Sequence, residues 1–125
     1  MDTIKKVLEE ASRGGDFDLL LGDFLDAFYR SEKPARQEMI NGCPFGAALQ
    51  NRPEHLAFAA ASAHKLANDY GLSVPAWVFD RQFYSGKPFF GCGAKGKLRL
   101  LFMYQSPSEF KHRNLFVDEN VLARV

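Results

Sequence analysis

A chain of 125 residues, 46% hydrophobic and 25% charged, has the composition of one globular domain that can bury a core without disulfide or metal staples. It holds no apolar run near the roughly 18 residues a transmembrane helix needs, and Met1–Gly15 is charged throughout, so neither a membrane span nor a secretory leader is expected. The formal net charge is +1, but residues 1–62 carry seven Lys/Arg against ten Asp/Glu and residues 63–125 carry nine against five, so the C-terminal half is the basic one. Cys43 and Cys92 lie far apart with no metal-ligand spacing, and free thiols in a reducing cytoplasm are the expectation.

In chain order, Asp2 or Thr3 can cap a first helix with Ile4, Val7, Leu8 and Ala11 on one face, ended by Gly14-Gly15. A second helix is expected from Asp16, with Phe17, Leu20, Leu21, Phe24 and Phe28 inward and Asp18, Asp23 and Asp26 toward water. Gly22 interrupts that pattern at a cost of about 1 kcal/mol relative to alanine, which suggests close packing, with the alanine face of a later helix as the expected neighbour. Pro34 opens a third helix through Ile40, stopped by Asn41-Gly42. Cys43–Gly46 reads as a loop, and Ala47–Leu49 as a further helical turn.

The stretch Asn51–Leu72 carries agreeing start, period and stop signals. Asn51 is the expected cap, Pro53 suits the first turn, and Gly71 suits a left-handed stop after which Leu72 packs back near Ala67. Leu56, Ala60, Ala63, Ala67 and Tyr70 form the expected contact face, with His55, Ser62, Lys65 and Asp69 opposite. This is the expected central helix. Beyond it, Trp77–Phe90 packs six aromatics into fourteen residues broken by Ser85-Gly86 and Pro88, the texture of an irregular wrap over a helical core. Leu98–Tyr104 fits helix through 98, 101 and 102 and strand through alternate positions; helix is preferred, for want of a strand to pair with. Ser106-Pro107-Ser108-Glu109 has the form of a capping box, placing Phe110 inward with Lys111, His112 and Arg113 largely outside. Asp118 is expected to cap a last turn through Val121, Leu122 and Val125. The whole predicts a mainly α fold, one compact helical domain over residues 1–125.

No catalytic constellation emerges. Gly91–Lys97 satisfies both G-x-G-x-x-G and the G-x-x-x-x-G-K part of a phosphate-binding loop, but Leu98 stands where Ser or Thr should bind magnesium, and no alternating strand–helix pattern surrounds it. His55 and His64 are nine residues apart on one helix, about 900° of rotation, and so project to opposite sides. Neither cysteine has an identifiable base beside it, and no cofactor or metal is expected. What stands out is the basic segment between Lys87 and Arg113, six Lys/Arg against Glu109. Lys95, Lys97, Arg99, Lys111 and Arg113 are interleaved with Phe102, Tyr104, Phe110 and Phe116, and these five cations are the candidate partner-binding residues. The aromatics are core residues beneath solubilising charges, or the segment is a surface for nucleic acid.

Pro75-Ala76-Trp77, Phe89-Phe90 and Ser106-Pro107…Phe110…Arg113-Asn114-Leu115-Phe116-Val117 together resemble the C-terminal part of a family of small uncharacterised bacterial proteins, often encoded beside helix-turn-helix regulators or in toxin–antitoxin-like neighbourhoods. The resemblance spans roughly residues 50–125 and implies a bacterial cytoplasmic protein, an accessory of a regulatory or defence operon; it brings no catalytic or binding residue. The leading expectation is a non-enzymatic module working through a protein partner. The alternative is nucleic-acid binding through residues 87–113.

Overall fold

The computed structural model of the chain describes residues 2–44 and 51–124. Its first helices begin and end on local signals. Thr3 Oγ1 accepts the Lys6 N–H at 3.1 Å and starts α1 (Ile4–Ser12), which buries Ile4, Val7 and Leu8. Gly14, at φ 100°, closes it: the Gly15 N–H reaches back to the Glu10 carbonyl and the Gly14 N–H to Ala11, both at 3.1 Å. Asp16 then caps α2 (Phe17–Arg30) by accepting the Leu19 N–H. Gly22 faces the C-terminal tail and not the alanine helix: a Cβ there would meet the Arg124 guanidinium at 3.1 Å, which in turn forks onto Asp26. Next comes α3 (Lys33–Asn41), with proline in its first turn as expected. The expected turn at Ala47–Leu49, like Phe45, Gly46 and Val125, lies outside the described residues.

The helix α4 (Pro53–Asp69) is the axis of the molecule, packed against α1, the aromatic wrap and the C-terminal elements. Its cap position is Arg52, one residue later than expected, and no side chain caps it. It stops as its sequence indicates, with Gly71 at φ 67° and the Leu72 N–H on the Ala67 carbonyl at 2.8 Å. Its burial, however, is not one-faced. All five residues from Ala59 to Ala63 are inside, and Ser62, expected toward water, is 0% exposed with its hydroxyl donating to the Phe58 carbonyl. Alanine therefore serves every side of this helix, because small side chains let several elements approach at once.

After α4 the chain wraps the core. Two 3-10 turns, Ala76–Phe79 and Arg81–Phe83, insert Trp77, Val78 and Phe83. The Trp77 indole N–H donates to the Ile40 carbonyl at 3.0 Å, and its ring meets Phe83 edge-on. Here the expectation that no strand finds a partner fails on a small scale. β1 (Phe89–Phe90) pairs in parallel with β2 (Leu115–Phe116), Phe89 opposite Leu115 and Phe90 opposite Phe116. Asn114, at φ 63°, turns the chain into β2 and anchors it by donating to the Ser85 carbonyl. Between the strands lie α5 (Lys97–Gln105), in the helical form preferred above, and the short α6 (Ser108–Lys111). The fold is mainly α, as expected.

The capping box before α6 does not form. Ser106 is buried at the end of α5, where its hydroxyl contacts the Phe102 and Val117 carbonyls and accepts the Val117 N–H, tying α5 to β2. Glu109 accepts from the Asn68 amide of α4 instead of reaching back to its own helix start. Phe110 is fully buried, edge-on to Phe58, as its position predicts. Asp118 accepts the Asn120 N–H and starts a pair of turns, not a helix, that buries Leu122.

Candidate interaction surface

The basic segment separates into a buried residue and a surface group. Arg113, expected outside, is 1% exposed, which corrects its placement among the surface cations. Its Nη1 donates to the Glu109 carbonyl at 2.8 Å and lies 3.3 Å from His64 Nδ1; its Nη2 donates to the Val78 carbonyl at 2.8 Å. The guanidinium also lies over the Tyr84 ring, 4.8 Å from its centroid, and Nε has no partner. A planar fork of donors suits this junction, where carbonyls from two separate elements and an imidazole converge. Arg113 is an internal tie among α4, α6 and the wrap.

Beside it, His64, Asn68, Ser108, Glu109 and His112 line a depression of about 180 Å³. Small-molecule sites run to about 300–1,000 Å³. Arginine only donates, so His64 Nδ1 accepts and the imidazole proton sits on Nε2, leaving no lone pair to act as base. Burial, then the Arg113 charge, pushes the His64 pKa down, keeping it neutral. Burial pushes Glu109 up, but the Asn68 hydrogen bond, its own backbone N–H and the Lys65 charge together hold it below its usual range. Among the described residues no three His, Cys, Asp or Glu side chains are grouped to hold a metal. His55 lies elsewhere, stacked on Phe17 at 4.4 Å. Cys43 is a half-buried free thiol, and the Cys92 side chain lies outside what the structure describes.

Lys95, Lys97, Arg99 and Lys111 are exposed and surround α5. The glycine motif does run strand, loop, helix, but the strand is two residues in a two-stranded sheet. Gly93 and Gly96 take φ 63° and 57°, and Ala94 is buried between them. Arg99 is held locally: its Nε donates to the Ala94 carbonyl at 2.8 Å and its guanidinium covers Phe90 at 4.5 Å. Lys111 Nζ donates to the Tyr104 carbonyl at the other end of the helix. The ion pairs among the described residues are Lys5–Glu9, Arg52–Glu54, Lys65–Asp69 and Arg124–Asp26, so no carboxylate neutralises any of the four.

The residues between these cations are the unexpected part of the surface. Of α5, Phe102 alone is buried. Leu100 is 66% exposed and Tyr104 84%, and Leu98, Leu101 and Met103 are also exposed. Lys97, Leu100, Leu101 and Tyr104 follow the i, i+3, i+4, i+7 spacing of one helix face, here turned to solvent, with Leu98 and Met103 on its flanks. Of positions 98, 101 and 102, whose spacing fits a helix, only Phe102 is inside; apolar residues surround this helix on every side, so they cannot all enter one core. No helix among the described residues is long and apolar enough to cross a membrane. No protein-family model, curated protein or solved structure matches the chain.

Proposed function

We propose that this protein is a non-enzymatic interaction module that docks a protein partner on the outer face of α5, as an accessory of a bacterial regulatory or toxin–antitoxin-like operon. The observation that carries this reading is the run of solvent-facing Leu98, Leu100, Leu101, Met103 and Tyr104 on one helix. Adjacent exposed apolar side chains of this size mark an association surface. The enzymatic reading draws no support from His64 in the α4–α6 depression, which is already committed to Arg113. Nucleic-acid binding finds support in the four exposed cations and in Tyr104 as a stacking ring. Aliphatic side chains, however, neither stack on bases nor pair with phosphate, and they form most of this face.

The test is the double variant Leu100→Gln/Tyr104→Gln. Both positions are exposed, so stability should stay within about 0.5 kcal/mol of wild type. From native cells, a protein recovered in stoichiometric amount with the wild type should be lost with the variant. Recovery of nucleic acid instead, weakening steeply with added salt, would transfer the surface to the alternative.

A further inference from the structure

We infer that the partner element seated on α5 is an acidic amphipathic helix, an identification that rests on the docking reading above. The charge arrangement of α5 is one-sided in a way its own chain does not correct. Its first turn holds Lys97 and Arg99 and no acid, its cap Gly96 makes no side-chain bond, and Lys95 adds a further cation just before it. Those charges sit at the positive end of the helix dipole, where carboxylates are favoured and cations are not. At the far end Lys111 lies against Tyr104. The apolar face is thus bounded by unneutralised cations at both ends, and from Lys97 to Tyr104 is seven residues, about 10 Å along the axis. A partner helix with carboxylates seven residues apart and apolar residues three and four positions after the first would meet both ends and cover the stripe between.

A second copy docking α5 on α5 would oppose the same cations to one another, which disfavours self-association through this face. An anionic bilayer offers charge without a matching stripe, and nine residues are little length for an interfacial anchor.

The experiment uses the full chain and three labelled synthetic peptides in fluorescence anisotropy at low salt. One is a Leu/Glu amphipathic helix with the spacing above, one replaces every Glu by Lys, and one scrambles the acidic sequence. Phosphatidylglycerol vesicles, single-stranded DNA and sedimentation equilibrium of the protein alone complete the set. The patterned acidic peptide should bind saturably, and the lysine and scrambled peptides should not. Lys95→Glu/Lys97→Glu, both exposed, should weaken the acidic peptide by roughly tenfold and take up the lysine peptide. Equal binding of the scrambled peptide, preferential binding of vesicles or DNA, or a dimer abolished by Leu100→Gln/Tyr104→Gln would each overturn the inference. If no acidic peptide binds while that double variant still loses its cellular protein, the acidic-helix assignment fails and the docking reading stands. If the double variant loses nothing, both fail.

Discussion

Arg113 brings a positive charge into the core with no carboxylate at ion-pair distance among the described residues. Burial lowers its pKa, yet an arginine stays charged, and the cation is held by the Glu109 and Val78 carbonyls, the His64 nitrogen and the Tyr84 ring. Removing the side chain would orphan two carbonyls, at about 1–3 kcal/mol each, and leave a void beneath the wrap. Arg113→Ala is therefore expected to destabilise the protein about as much as Phe110→Ala, at about 3–5 kcal/mol for a fully buried ring. Arg113→Lys should recover only part of the loss, because one ammonium cannot span acceptors that belong to three elements. Urea melts of the three variants decide the matter. An Arg113→Ala protein as stable as wild type would mean that the guanidinium is not the tie described.

At the scale of elements, α4 and α5 show opposite relations between side chain and surroundings. α4, with six alanines among its 17 residues, is closed in on all sides at Ala59–Ala63, so added volume has nowhere to go at any of these positions. Ala63→Leu and Ser62→Leu should each cost about 1–3 kcal/mol by overpacking. Ser62→Ala, which removes only a hydroxyl bonded within its own helix, should stay within about 0.5 kcal/mol of wild type. A silent Ser62→Leu in the same denaturant series would restore the one-faced helix and overturn the packing described. Helix starts and stops were readable from sequence because a Thr3 cap or a Gly71 turn involves neighbours within about five residues. The inner and outer sides of α4 were not, because they depend on how many distant elements surround it. Nor was the exposure of Leu100 and Tyr104, since apolar residues on every side of α5 leave no period to say which of them enters the core. The burial of Arg113 depends on Val78, 35 residues away, and the failed cap at Ser106 on Val117, which competes for its hydroxyl.

For the whole molecule, the ties that bind α6 and the wrap to the central helix meet around His64, and this gives stability a pH dependence. The groups facing it are Arg113, Glu109 and His112, with the Phe79 ring edge-on at 5.1 Å. Burial lowers its folded pKa below the ordinary 6.5, and the Arg113 charge lowers it further. Burial likewise lowers the pKa of His55, on the Phe17 side of the same helix. A base with a depressed folded pKa takes up its proton more readily when unfolded. Its stabilising contribution is complete above 6.5 and is lost as pH falls from there through the lowered folded value. Protonation of His64 would also remove the lone pair that Arg113 uses and set two cations side by side. Glu109 does not confuse this window, because its own depressed pKa places its losses below its ordinary 4.5. The unfolding free energy should therefore fall between pH 7.5 and 5.5. His64→Gln keeps an acceptor for Arg113 but cannot titrate, so it should flatten that fall, and adding His55→Gln should flatten it further. Urea titrations at the two pH values in wild type, single and double variants measure the effect. An unchanged slope in His64→Gln would show that the imidazole reaches solvent freely and that the Arg113 junction does not close over it.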